Sequence, residues 1–114
     1  MDEALIAKQR MSQLAEETGM PLEELVDLWA VETEAQLGSA SEALAAGNLA
    51  EAARLVHSAS GSSGICGITA LADALKSAEQ LANAGRGADA SQALATAHLL
   101  FTSISGVLQN GTKS

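Results

Sequence analysis

Aromatic residues are almost missing from this chain of 114 residues, which holds one Trp, one Phe and no Tyr. Short alternating runs of Val, Ile, Thr and Tyr are missing too, which argues against a β-sandwich or barrel. A single cysteine, Cys66, excludes an intramolecular disulfide framework and any multi-Cys metal site. Basic residues are scarce, six Lys and Arg against fourteen Asp and Glu, for a net charge of −8. Nucleic acid and anionic membranes both demand clustered Lys and Arg, so neither is an expected partner. No apolar run approaches the roughly 20 residues of a membrane span. The start, Met1-Asp2-Glu3, lacks the basic-then-apolar layout of a signal peptide, so the cytoplasm is the expected compartment. No Gly-rich strand-to-helix loop is present to cradle a nucleotide's phosphates.

What is present is Ala and Leu. Hydrophobic residues make up 47% of the chain, enough for one core in one domain. Ala and Leu both favour helices, and the apolar positions recur at helical spacing. Gly19 and Pro21 part a lead-in helix, about 3–18, from a second helix that runs to about Ala46. Gly47 reads as a C-cap and Asn48 as the next N-cap, with Glu51 completing a capping box. A third helix starts near Leu49 and runs into the Ser/Gly-rich stretch from Ser58 to Gly67. Thr69 is the expected N-cap of a fourth helix ending at Gly85, and Asp89 with Gln92 forms a second capping box. Helix five carries Leu94, Ala97, Phe101, Ile104 and Leu108, spaced 3, 4, 3, 4, which is a bundle seam. Gly111 closes it. The expectation is an all-α, up-and-down antiparallel four-helix bundle over about 22–109, with an additional N-terminal helix and a polar tail at 110–114.

The stretch His57-Ser58-Ala59-Ser60-Gly61-Ser62-Ser63-Gly64 stands out chemically. Glycine inside a helix costs about 1 kcal/mol relative to Ala, so Gly61 and Gly64 need a reason. Gly61 lies one turn beyond His57 on the same face, which leaves the imidazole open to a large partner. Neutral histidine is a nucleophile that titrates near physiological pH. Small residues also serve close helix packing or an early helix end, and a lone histidine on such a face is often a bystander. His98 reads as structural, Cys66 as a small packed hydrophobe, and Trp29 as core or as packing between the lead-in helix and the bundle. Two His and one Cys fall short of the four close-set ligands of structural zinc.

These residues resemble the histidine-containing phosphotransfer (HPt) family of two-component phosphorelays. Its pattern is His, then Lys at +3, Gly at +4, Ser at +5, Gly at +10, Leu at +14 and Glu or Gln at +22. Here His57, Gly61, Ser62, Gly67, Leu71 and Glu79 match, and Ser60 stands where the family has Lys. Leu75, at +18, keeps the apolar character usual there, and the resemblance spans about 22–109.

The resemblance implies that His57 is phosphorylated, through Nε2, and relays a phosphoryl group between aspartates of response-regulator receiver domains. One such receiver would belong to a hybrid histidine kinase. It implies a phosphocarrier rather than an enzyme, with no cofactor of its own and the Mg²⁺ in the partner receiver. Glu79 matches the position that hydrogen-bonds the imidazole. Ser60 offers a hydrogen bond but no charge; Arg54, at −3, is the nearer substitute cation and Lys76 a less well-placed one. A bundle seam of this kind can close internally, so a monomer is the default expectation and a dimer stays open. The missing Lys keeps an alternative open: a phosphotransfer-deficient helical module that binds receivers. The phosphoacceptor domain of a sensor kinase fits less well, because Ser58 rather than an acid follows His57 and the only proline is Pro21.

Overall fold

The computed structural model describes residues 3–112. Residues 1, 2, 113 and 114, and with them the last two positions of the expected polar tail, lie outside it. It contains five helices: α1 (Glu3–Thr18), α2 (Leu22–Ala45), α3 (Leu49–Ile65), α4 (Thr69–Asn83) and α5 (Gly87–Thr112). Helices α2 to α5 form an antiparallel bundle in which each packs on the next and α5 closes back onto α2.

Three turns of one design connect the bundle. After α2, the N–H of Gly47 donates to Leu44 O and that of Asn48 to Ala43 O. After α3, Gly67 donates to Gly64 O and Ile68 to Ser63 O; after α4, Gly85 donates to Ala82 O and Arg86 to Leu81 O. This is the Schellman pattern, whose glycine must adopt positive φ. The residue after each glycine then accepts the first hydrogen bond of the next helix: Asn48 from Ala52, Ile68 from Ala72, Arg86 from Ala90. Two residues thus end one helix and start the next, so consecutive helices are antiparallel neighbours.

The core is built mostly from small residues. Ala40, Ala59, Ala78 and Ala97 are buried at the helix contacts, and Leu37, Leu71, Leu75, Leu94 and Leu108 fill the space between them. Each such Leu, removed from water, contributes about 1.5–3 kcal/mol. Trp29 is core: its ring is tilted against Phe101 at 5.3 Å, and its Nε1–H donates to Ser63 Oγ at 3.3 Å.

The lead-in helix crosses the end of the bundle where α3 stops and α4 starts. Ala4, Ala7 and Met11 face the core. Its polar side chains reach the exposed ends of other helices. Glu3 accepts from the N–H of Ala70, Arg10 Nε donates to Ile65 O, and Lys8 Nζ donates to Gly111 O. An anion thus meets a helix N-terminus and two cations meet C-termini, which matches the helix dipoles.

Four local expectations change. Thr69 is the first residue of α4 rather than its cap; the N-cap position is Ile68, which offers no side-chain hydrogen bond, and Glu3 supplies the carboxylate from another helix. The Asn48 box is half formed: Asn48 Oδ1 accepts from Glu51 N–H, but the Glu51 carboxylate turns to Arg54. Asp89 sits in the first turn of α5, paired with Arg86, because that helix begins earlier, at Gly87. Gly111 does not close α5, which continues to Thr112, so residues 110–112 are helical rather than tail.

Gly67 has a second constraint besides φ of 78°: a Cβ there would lie 2.9 Å from Arg10 Cβ. Gly47 shares the φ, at 77°, but has open space around it. Gly47→Ala should therefore lose about 1–2 kcal/mol of stability, and Gly67→Ala visibly more, as α1 is pushed away. Urea denaturation of the two variants checks this; equal losses would show that α1 is not seated on the turn.

Candidate functional site

His57 stands in the middle of α3 with its side chain 74% exposed. Its Nδ1 lies 3.1 and 3.0 Å from the two oxygens of Glu79, which reaches across from α4 and is itself only 20% exposed. The register follows from the turn: His57 lies ten residues before Gly67 and Glu79 twelve after it. At about 1.5 Å per residue the two are nearly level. A carboxylate only accepts, so the proton of the neutral ring sits on Nδ1 and Nε2 keeps its lone pair toward solvent.

His98 makes an instructive contrast. It also meets a carboxylate across a helix boundary, but through Nε2, 3.1 Å from each Glu34 oxygen, and its ring stacks on Phe101. The nitrogen that His57 leaves open is the one that His98 has engaged. The second histidine is a link between α2 and α5.

Gly61 has no packing reason to be glycine. A Cβ there meets nothing within 4 Å, and at Gly64 the nearest contact would be an ordinary 3.9 Å from Ala72 Cβ. Neither Gly ends the helix, which continues to Ile65. The explanations from close packing and early termination therefore fall away at Gly61, and an open surface remains beside His57.

Ser60 does not take the place of a lysine. Its hydroxyl donates to Ala72 O at 2.9 Å, fastening α3 to α4. Ser58 is likewise engaged, accepting from Gln36 Nε2 at 3.0 Å. Arg54 is beside His57, but its guanidinium is bonded to both oxygens of Glu51. That bond holds the Glu51 carboxyl below the ordinary carboxylate range and pushes Arg54 up. Lys76 is exposed and, among the described residues, has no hydrogen-bond or ion-pair partner. Cys66 caps the end of α3, buried, and burial pushes its thiol up.

One feature of the site is not evident in the sequence. Beside His57 is an open depression lined by Ala50, Ala53, Arg54, Glu79 and Asn83. It lies on the N-terminal side of the histidine, opposite to Gly61. Side chains on a helix lean toward its N-terminus, so the ring sits over the preceding turn. Alanines at −4 and −7 were the available signal, hidden in a chain where Ala is everywhere.

Among the described residues no helix is long and apolar enough to cross a membrane, and no group of three His, Cys, Asp or Glu is placed to hold a metal ion. Fold and site together define a helical bundle that presents a carboxylate-held imidazole to solvent. The family model of the Hpt domain matches residues 24–110, and the chain belongs to that family. Membership makes it a phosphotransfer module of two-component signalling, a class whose partners are response regulators. No curated protein and no solved structure gave a significant match.

Two outcomes are expected. Gly61→Ala should raise stability by about 0.5–1 kcal/mol, because a helical Cβ there is free of contacts; a loss, read by thermal unfolding, would reveal a constraint at Gly61. The Glu51 carboxyl should titrate below its unfolded value, so its contribution to stability is present above that value and fades as pH falls through the folded one. NMR titration of Glu51 checks this, and Arg54→Ala should return its midpoint upward.

Proposed function

We propose that this protein relays a phosphoryl group between aspartates of response-regulator receiver domains through a phosphohistidine at His57. One observation carries the reading: an exposed imidazole whose Nδ1 is held by Glu79 while Nε2 is free. The Nε2 lone pair attacks the phosphorus of a receiver's aspartyl phosphate. The N–P bond forms as the bond from phosphorus to the aspartyl oxygen breaks, and the aspartate leaves as a carboxylate. The Nδ1 proton stays in place, and Glu79 balances the positive charge that develops on the ring. The reverse step passes the group on.

Little covalent help is needed, because phosphoryl transfer depends on in-line positioning and charge neutralisation. The protein acts as a carrier, with the Mg²⁺ supplied by the receiver. Gly61 and Gly64 leave the face beyond His57 low, and Ile65, 62% exposed, offers an apolar anchor on it. No acidic residue occurs between Glu51 and Asp73, in a chain with fourteen. Such a face suits a partner whose own site is built on carboxylates. A receiver attached to a hybrid histidine kinase is the expected donor, the monomer the working unit, and the cytoplasm the compartment.

The Ser60 hydroxyl, spent on Ala72 O, favours a second reading: a module that binds receivers without accepting phosphate. Purified receivers charged with acetyl phosphate decide between them. The carrier reading expects an acid-labile, alkali-stable label that His57→Gln abolishes. Glu79→Ala should slow labelling about ten- to a hundredfold, since a hydrogen bond to a charged group is worth about 1.5–3 kcal/mol. Gly61→Leu should slow transfer while the fold is kept. Receiver binding with no label on His57 would establish the second reading instead.

A further inference from the structure

We propose that Arg54 exchanges partners when His57 is phosphorylated, leaving Glu51 for the phosphoryl group, and that Glu51 thereby sets how readily the charge is released. The inference rests on the carrier reading above and assigns the cation that the missing Lys leaves unaccounted for.

The geometry begins with the depression beside His57. Ala50 and Ala53 line it with side chains too small to obstruct a tetrahedral group, and Glu79, Asn83 and Arg54 line it with polar ones. With Nδ1 held by Glu79, Nε2 is the nitrogen left to carry a phosphoryl group, and Arg54 lines the same depression as His57, three residues back on the same helix.

Arg54 is engaged, but loosely. Its guanidinium side chain is 67% exposed and Glu51 is 40% exposed. Exposed pairs of this kind contribute little, so leaving one costs little. The phosphoryl group carries nearly two negative charges against one on Glu51, and its oxygens match the guanidinium fork as well as a carboxylate does. Among the described residues the other cations are worse placed. Arg86 is paired with Asp89, Arg10 and Lys8 are bound at helix ends, and Lys76 does not line the depression.

Glu51 is then more than the first-turn acid of α3. Its backbone N–H is capped by Asn48 and its carboxylate parks the arginine away from the imidazole. Replacing it by Gln keeps the cap and the volume while removing the competing charge.

The test uses the whole chain, ¹⁵N-labelled, with phosphoramidate as phosphodonor and ³¹P NMR to record phosphohistidine. The Arg54 Nε–H resonance should move on phosphorylation, and in Glu51→Gln it should start from a different, unpaired position. Glu51→Gln should lengthen the phosphohistidine lifetime about two- to fivefold, the range expected when a weak exposed competitor is removed. Arg54→Ala should shorten it, Arg54→Lys should restore part of the loss, and Glu51→Gln should have no effect in the Arg54→Ala background. A merely structural Glu51 would leave the phosphohistidine lifetime unmoved in Glu51→Gln. An unmoved Arg54 resonance, or a Glu51→Gln lifetime equal to that of the unaltered protein, overturns the exchange and leaves the carrier reading standing. No phosphoryl on His57 at all overturns both.

Discussion

The turn at Gly67 is the constraint on which the rest depends. It stops α3 with a residue at positive φ, starts α4 two residues later, and so sets the register of the two helices. That register brings Glu79 level with His57, and brings Ser60 opposite the carbonyl of Ala72. One residue more or less in the turn would rotate α4 by about 100° and carry Glu79 off the shared face. The same glycine leaves the gap into which Arg10 packs. Site geometry and the seating of the N-terminal helix are therefore two consequences of one backbone conformation.

The N-terminal helix adds what the bundle cannot supply for itself. Short three-residue turns leave helix ends close together, and each end carries unpaired N–H or C=O groups. At one end of the bundle these meet Glu3, Lys8 and Arg10, each with the sign that its helix terminus prefers. Two of the chain's six basic residues, Lys8 and Arg10, are spent here as structural caps on α5 and α3. The acidic chain thus has few cations left, and where Arg54 points matters more than it would in a basic protein.

Much of this was legible in the sequence, and for local reasons. The 3, 4, 3, 4 spacing of helix five, the glycine after each helix and the count from His57 to Glu79 depend on nearby residues only. The misreadings at Thr69 and Glu51 have a common cause. A capping box is a local pattern, but Ala70 finds its carboxylate on Glu3, 67 residues away, and Glu51 finds a stronger donor in Arg54 than in its own helix end. The direction of Ser60 was hidden for the same reason, since its acceptor lies on another helix.

The two histidines show how far residue type alone goes. Both lie on helices, both meet a glutamate from a neighbouring helix, and both are partly open to solvent. What separates them is which nitrogen the carboxylate takes. A carboxylate on Nδ1 leaves the outer nitrogen with its lone pair and can stabilise the ring once it bears a substituent. A carboxylate on Nε2 covers the nitrogen that a partner would approach, and the Phe101 ring closes one face of the imidazole. The distinction is set by helix register and side-chain lean, not by composition. The chemistry of His57 is in that sense a property of the α3–α4 hairpin, and a histidine moved elsewhere on the same bundle would not inherit it.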